Sequence, residues 1–407
     1  MSPASLLIAG ASVFDSDAGT LLPGLDVRVE DGHIAAIGRA LPRDGAEVVQ
    51  AEGCTLLPGL IDCHVHLAYD GWPGEPLNPV DPIAVYAWRM ANNAGATLRA
   101  GFTTVRDLGA PHALNCDLMR AVEQGMVAGP RIVPAGRMVT MTGGHGWPIG
   151  READGPDEVR KAVREQLKAG ARAIKLMASG GVMTPGVDPR SPQLGLDELS
   201  AGVEEAHKAG VKTASHAQAA QGIRNAVFAG IDSIEHGIYL EDDVIEEMKQ
   251  RGTVLVATIA APHNINLLGE GAGMPPHVLE KSRMVAEAHV DSFHRALRAG
   301  VILASGTDAG TPGNEHGRNA QELRLMVEHG LAPAEAIRAA TATAAELLGL
   351  GERTGRIAPG FCADLLLVAG DPLADISLLE RPEAVFGVWL EGGRASPAPA
   401  AQSPAAG

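Results

Sequence analysis

Four histidines, one lysine and one aspartate in this 407-residue chain occur in motifs whose residue types suit metal binding. The motif DCHVH at residues 62–66 places His64 and His66 two positions apart, and alternate residues of a strand point to the same side. The remaining candidates follow in separate motifs, at Lys175, His216, His236 and Asp308. Neutral imidazole and carboxylate bind Zn²⁺ and similar divalent ions. These residues therefore predict a metal centre, provided that the fold brings them together.

Lys175 is the unusual member of the set, because a charged ammonium is not a metal ligand and is costly to bury beside cations. Two chemical states would resolve this difficulty. Either the amine is neutral, or it has reacted with CO₂ to form a carbamate, an anionic group that bridges two ions. The carbamate would make the centre binuclear, with the ions about 3.5–4 Å apart.

Each of these residues taken alone has a simpler interpretation. A lone histidine at a strand end is more often a capped polar residue, Lys175 alone would suggest an ordinary ion pair, and Asp308 before Ala-Gly is typical of a turn. A purely structural explanation has to account for all six at the same end of one fold. The metal-centre interpretation is therefore favoured.

The elements that would position these residues follow a regular pattern between about residues 58 and 355. Short apolar segments predict eight strands, at residues 59–67, 102–108, 131–135, 173–178, 212–217, 233–236, 254–259 and 301–306. The intervening helices include residues 157–169, 196–209, 245–251, 280–299 and 320–329. Several helices end on Ala-Gly, a typical stop signal. Strands alternating with helices predict an α/β fold, a (β/α)8 TIM barrel, with functional residues at the carboxyl ends of the strands.

The two ends of the chain have a different character, because short strands punctuated by glycine occur at both. We therefore predict a small β-sandwich domain built from residues 1–57 and 358–395, around a barrel of residues 58–357. Residues 396–407 are rich in Ala, Ser and Pro and predict a disordered tail.

Composition limits the partners of the chain. Asp and Glu number 49 against 33 for Lys and Arg, a formal net charge of −16, so we expect neither nucleic acid nor an anionic membrane as partner. The aromatic content of 3% argues against an aromatic platform for nucleic acids or sugars. The four cysteines form no CxxC pair, and neither a basic leader nor an apolar run of about 18 residues occurs. These features predict a cytoplasmic protein.

The motifs as a group resemble the amidohydrolase superfamily in its binuclear form with a carboxylated lysine. The segment LPGLIDCHVH at residues 57–66, the lysine of the fourth strand, the histidines of the fifth and sixth, and the GTDAG turn at residues 306–310 occur in the family's order. The segment GRIAPG at residues 355–360 also matches. The loops after strands three, four and five look most like the branch that contains Xaa-Pro dipeptidases and ochratoxin-hydrolysing amidohydrolases.

The resemblance implies a ligand set and a reaction. His64, His66 and Asp308 would hold one divalent ion, expected to be Zn²⁺, His216 and His236 a second, and carboxylated Lys175 would bridge them. A hydroxide between the ions would attack an amide carbonyl, with Asp308 transferring the proton to the leaving amine. The implied substrate is a small dipeptide of the Xaa-Pro type or an N-acyl amino acid, including ochratoxin-like amides, with a free carboxylate. The branch is often multimeric, which implies a homo-oligomer.

Further residues are candidates for contacts with the substrate. His145 lies in a Gly-Gly-His-Gly loop after the third strand and would donate a hydrogen bond to the oxygen of a tetrahedral intermediate. Tyr239 would polarise the carbonyl or bind the carboxylate, although a packed tyrosine is an equal alternative. Arg190 and Arg318 in barrel-end loops would suit a carboxylate, or be ordinary surface arginines. We expect most of the other histidines to face solvent.

Two alternative functions remain. A cyclic amidohydrolase, such as an imidazolonepropionase-like enzyme, would use the same scaffold, but many such proteins use one metal ion and lack the lysine of the fourth strand. A non-catalytic barrel scaffold is the second alternative, and it would be expected to have lost metal ligands. All six candidates are present here.

Overall fold

The structure is a computed structural model that describes residues 5–74 and 80–395. The tail predicted at residues 396–407 lies outside the described residues. No helix within the described ranges combines the length and the apolar character that a membrane crossing requires.

The described elements alternate strands and helices through the middle of the chain. In chain order the strands are β1 (Ser5–Asp15), β2 (Thr20–Glu30), β3 (His33–Gly38), β4 (Glu47–Gln50), β5 (Cys54–Pro58), β6 (Leu60–Val65), β7 (Phe102–Asp107), β8 (Arg131–Pro134), β9 (Val139–Thr140), β10 (Arg151–Glu152), β11 (Ala173–Met177), β12 (Lys212–Ala217), β13 (Ser233–His236), β14 (Val254–Val256), β15 (Leu365–Ala369), β16 (Val385–Leu390) and β17 (Gly393–Arg394). The α-helices are α1 (Ile83–Arg99), α2 (Leu114–Glu123), α3 (Pro156–Ala169), α4 (Leu196–Lys208), α5 (Ala220–Phe228), α6 (Asp242–Arg251), α7 (Ala260–Leu268), α8 (Pro276–Ala299), α9 (Gln321–Glu328), α10 (Pro333–Ala339) and α11 (Ala342–Leu347).

One sheet joins the two ends of the chain, in the order β17-β16-β15-β5-β1-β2-β3, with β4 paired to β1. Its buried side chains, among them Leu56, Leu365 and Trp389, pack into one apolar cluster. The chain leaves this sheet at β5 and enters the parallel strands directly at β6. The two ends thus come together as expected, whereas a two-layer sandwich and the domain boundaries stay predictions.

The middle of the chain forms two parallel sheets, β6-β7-β8 and β10-β9-β11-β12-β13-β14. Seven of the eight predicted strands overlap an observed strand, and the five predicted helices agree with α3, α4, α6, α8 and α9 to within four residues at each end. The helices α3 and α8 each end on a glycine at positive φ, Gly170 (106°) and Gly300 (80°), as the Ala-Gly signals predict.

The prediction of a regular strand at residues 301–306 is wrong. This segment lies between β14 and β6. Leu303 makes an isolated bridge with Leu255, and Ala309, just after the segment, makes one with Val65. The backbone N–H of Thr307 donates to the Asp62 side chain at 3.0 Å instead of to a neighbouring strand. Within residues 301–306 the Ala304 N–H donates to Leu255 O and Ser305 O accepts from Cys63 N–H, so the segment runs beside both strands without forming a regular ladder.

The seventh predicted strand, at residues 254–259, is shorter than expected because β14 ends at Val256. Thr258 adopts a positive φ of 56°, which ends the extended conformation. The next two backbone N–H groups, of Ile259 and Ala260, donate to the buried Glu322 carboxylate at 2.9 and 2.8 Å. Here too a buried acid satisfies the backbone where the ladder stops.

Candidate metal centre

The carboxyl end of β6 brings two imidazoles and a carboxylate together. The Nε2 atoms of His64 and His66 lie 3.3 and 3.4 Å from Asp308 Oδ1. All three residues offer ligand atoms within 4.8 Å of one another, an arrangement that can hold a metal ion. Asp62 fixes the two segments to each other, because its Oδ1 accepts from the backbone N–H groups of both His64 and Thr307.

The next parallel strands bring the other candidates to the same place. His216 at the end of β12 and His236 at the end of β13 have ring centroids 4.5 Å apart, and His236 lies 5.2 Å from His64. Lys175 is in register with Ala214 on β12, and its buried Nζ has no hydrogen-bond partner among the described residues. The six residues selected from the sequence therefore line one cavity.

Each of the four imidazoles has one ring nitrogen engaged on the outside of the cluster. Nδ1 contacts Glu235 in His64, Gly109 O in His66 and Thr258 Oγ1 in His236, at 2.8, 3.0 and 2.7 Å, and Nε2 contacts Gly180 O in His216, at 2.9 Å. Such partners fix the tautomer and leave the other nitrogen with its lone pair. The rings are thus held in the form that a metal ion requires.

Burial sets the charge state of the cluster. It lowers the pKa values of His64, His216 and His236 well below the usual range, so these rings are neutral. Burial also lowers the pKa of Lys175 to about 8, opposed by the nearby Glu235 and Asp308 carboxylates. An unpartnered amine that deprotonates readily can react with CO₂, since the neutral amine is the nucleophile. Neutral imidazoles and this orphaned amine fit a binuclear site with a carbamate.

Two of the candidate ligands have an unusual backbone conformation. Asp308 and His236 adopt φ values of 59° and 72°, which non-glycine residues seldom adopt. Such conformations persist only when the surrounding contacts hold them, and they cluster at functional sites. His236 is the last residue of β13 and Asp308 lies just after the segment of residues 301–306, and both side chains line the cavity.

His145 lies in the cavity wall beside the candidate ligands. Its ring centroid is 4.4 Å from that of His216, and its Nδ1 lies 2.8 Å from Thr184 Oγ1. Burial lowers its pKa to about 3, so the ring is neutral. A Cβ atom on Gly181 would collide with this ring, which explains a glycine there. His145 therefore places a neutral hydrogen-bonding group in the wall of the cavity.

The other candidates for substrate contacts lie apart from the cavity lining. Tyr239 is partly buried and packs against the apolar cluster that contains Val182 and Ile238. Arg190 is exposed and bonds Asp188 with two nitrogens, and Arg318 is exposed. The expectation that either arginine meets a substrate carboxylate finds no support in their positions.

The cavity at this site is largely apolar. Its wall includes Trp72, Met138, Met177, Met183, Ile238 and Ile265. Among the described residues that line it, Asp308 is the only carboxylate and Lys175 the only lysine or arginine. Gln218, two residues after His216, also lines it, although sequence reasoning did not select it.

The sequence analysis also missed a buried network of charged residues behind His64. Glu235 and Arg106 are fully buried and paired at 2.8 Å, and the second oxygen of Glu235 faces His64. Arg106 also donates to Cys63 O and Ser233 Oγ. An arginine and a glutamate inside apolar strands are a sequence signal for a buried pair.

The expectation that most of the other nine histidines face solvent is wrong, because only His33, His112 and His207 are exposed. His289 on α8 is buried, lines the cavity and contacts Ala257 O at 2.8 Å. His316 is partly buried and its Nε2 lies 3.2 Å from the backbone oxygen of His66. Helix and loop positions did not indicate burial, because both histidines pair with backbone oxygens from distant segments.

Comparison with known proteins gives a consistent family. Residues 55–394 match the amidohydrolase family. An ochratoxinase from Aspergillus niger is 34% identical over 419 residues, covering 92% of this chain and 85% of the relative. An imidazolonepropionase from Micrococcus luteus is more distant, at 28% identity, with 93% of this chain and 95% of the relative covered.

Solved structures give the same result. A Xaa-Pro dipeptidase with methionine bound in its active site has a TM-score of 0.89 and 32% identity, covering 96% of this chain and 99% of the other. The structure of Aspergillus niger ochratoxinase has a TM-score of 0.85 and 30% identity, covering 97% and 96%. The branch expected from the motifs is confirmed.

Proposed function

Because the chain belongs to the amidohydrolase family, enzymes that act on amide bonds, we propose that it releases a C-terminal amino acid from N-acyl amino acids or dipeptides. The observation that carries the proposal is the buried, unpartnered Lys175 amine among neutral imidazoles and one carboxylate. The ochratoxinase and dipeptidase relatives support the substrate class. The more distant imidazolonepropionases give less support to a cyclic amide.

His64, His66 and Asp308 would hold one divalent ion, His216 and His236 the other, and a carbamate on Lys175 would bridge the two, with Zn²⁺ as the proposed metal. Ions in such a site supply Lewis acidity and lower the pKa of the attacking water. The surrounding fold, in this proposal, is a closed eight-stranded barrel with the terminal sheet folded into a sandwich.

The side chains then act on the substrate in named positions. Asp308 takes the proton of the attacking water and passes it to the leaving nitrogen. His145, neutral and anchored through Nδ1 to Thr184, directs Nε2 toward the developing oxyanion. Tyr239 packs against a cluster that includes the lining residues Val182 and Ile238, and in this proposal it would bind the substrate carboxylate or polarise the carbonyl.

The test is release of free amino acids from a panel of dipeptides and N-acyl amino acids by the zinc-loaded protein. Metal-stripped protein is the control. Metal-dependent release supports the proposal, and the relative rates of release rank the substrates. If the fully loaded protein releases no amino acid from any member, the proposed substrate class is wrong and cyclic amides become the next panel.

Assembly is a separate proposal, a homo-oligomer. It is supported by exposed apolar side chains around the start of α1, namely Val80, Ile83 and Trp88, which are 68%, 53% and 72% exposed. Exposed apolar patches of this kind often mark contacts between subunits. Light scattering on the purified chain measures the mass directly, and a monomer would contradict the proposal. A cytoplasmic location also stays a prediction.

A further inference from the structure

Gln218 is a buried polar residue whose side chain the fold leaves unsatisfied. It is 5% exposed, lines the cavity, and its Oε1 has no hydrogen-bond partner among the described residues. Its backbone is held on both sides, because its N–H donates to Ser179 Oγ at 2.8 Å and its oxygen accepts from Tyr239 N–H at 3.0 Å. The fold therefore fixes the backbone of this residue and leaves its side-chain oxygen without a partner among the described residues.

The position of Gln218 relates it to the candidate metal ligands. It follows His216 by two residues, directly after β12 ends at Ala217, and both side chains line the same cavity. Two residues along a strand correspond to about 7 Å. A substrate whose carbonyl lies at the ligand cluster would thus extend past this side chain.

The charges of the cavity restrict what Gln218 can meet. A free α-ammonium would need a carboxylate partner, and Asp308 is the only one among the described lining residues. A neutral acceptor in an apolar wall suits a neutral donor, and an amide N–H is such a donor. A donor or acceptor left unpaired in the complex would cost about 1–3 kcal/mol, which corresponds to about 5- to 150-fold in binding.

We propose that Gln218 is a specificity-determining residue whose Oε1 accepts the N–H of a secondary amide with a neutral, apolar acyl group. The inference rests on the proposed function and narrows it. An acyl–proline bond has no N–H on its nitrogen, so it cannot make this contact. The cavity is therefore selective for N-acyl amino acids of primary amines over Xaa-Pro dipeptides.

The test compares N-octanoyl-L-alanine with its ester analogue, O-octanoyl-L-lactate, in which oxygen replaces the N–H. Octanoate release gives kcat/KM for both compounds. The ratio of kcat/KM for the amide to that for the ester cancels any effect of a substitution on folding or metal content that is common to the two. Gln218→Met removes the acceptor, and Gln218→Glu keeps an acceptor while removing the donors. Gln221→Met is the matched control, because Gln221 is exposed on α5 and bonds only Asn225 among the described contacts.

The proposal requires Gln218→Met to lower the amide-to-ester ratio about tenfold or more, while Gln218→Glu and Gln221→Met keep it within about twofold of the wild-type ratio. An unchanged ratio in Gln218→Met overturns the inference. An equal fall of the ratio in Gln218→Glu also overturns it, because the contact would then depend on the amide N–H donors that this variant lacks. Gln218→Ala gives the same readout if the methionine variant does not fold. Wild-type protein inactive on both compounds would instead refute the proposed function itself.

Discussion

The substitution Glu235→Gln tests whether the buried network behind His64 supports both the fold and the metal site. The Glu235 carboxylate uses Oε1 for Arg106 and Ser233, at 2.8 and 2.6 Å, and Oε2 for His64, at 2.8 Å. Glutamine has one oxygen, so its amide nitrogen must face a donor on one side. The variant thus breaks a fully buried ion pair and removes either the arginine contact or the histidine contact.

The expected magnitude follows from these contacts. Removing one partner of a buried pair costs about 3–5 kcal/mol of unfolding free energy, because the remaining charge is uncompensated. Loss of the ionised partner of a ligating histidine weakens metal binding by about 10–100-fold. The double variant Arg106→Met, Glu235→Gln removes both charges, so it should regain most of the stability without regaining the metal affinity.

Urea unfolding of the metal-free proteins and competition titration with a zinc chelator measure the two effects separately. The control is Glu165→Gln, since the Arg151–Glu165 pair is partly exposed and should contribute less than about 1 kcal/mol. The reasoning is refuted if Glu235→Gln unfolds at the same urea concentration as that control. It is also refuted if the double variant is less stable than Glu235→Gln alone.

Further predictions concern the cluster and one other buried acid. Lys175→Ala should reduce bound metal from two ions to at most one per chain and abolish amide hydrolysis, and elemental analysis with two retained ions would contradict the bridging role. Asp308→Asn should leave the circular dichroism spectrum unchanged while lowering kcat by about 100-fold or more; a fall of less than about threefold would exclude Asp308 as the proton carrier. Burial raises the pKa of Glu322 to about 8 from 4.5, so the folded state keeps a proton that the unfolded chain loses. The contribution of Glu322 to the free energy of unfolding is therefore fully present below pH 4.5. It falls as pH rises toward 8, by at most about 1.4 kcal/mol per pH unit. Unfolding midpoints of Glu322→Gln should fall less steeply between pH 5 and 8 than those of the wild type, and parallel curves would contradict this.

The candidate ligands were accessible from sequence because strand geometry is local. His64 and His66 share a side through the two-residue period, and the carboxyl ends of parallel strands converge. The order of the motifs then selected Lys175 and Asp308 without any knowledge of distances. Both were found beside the same cavity.

The residues that sequence reasoning missed depend on contacts between distant segments. Arg106 and Glu235 are 129 positions apart, and either one alone suggests a surface residue. Gln218 is ordinary in sequence, and only its burial without a partner distinguishes it. The irregular pairing of residues 301–306 was missed for a similar reason, since it depends on backbone contacts with β14 and β6, which are distant in sequence.

The same physics explains why metal binding and folding should be linked in this protein. Burial raises the pKa of Asp62 to about 6 and of Asp308 to about 7, which records the cost of placing carboxylates in the apolar interior. Lys175 adds an unpaired amine at the same place. Divalent ions held by Asp308 and the histidines would be bound in the folded state only, so they would stabilise that state by mass action. In a chain with a net charge of −16, this one site is thus where bound cations would be needed. The rest of the cavity is largely apolar, so its apolar side chains would determine which substrates bind.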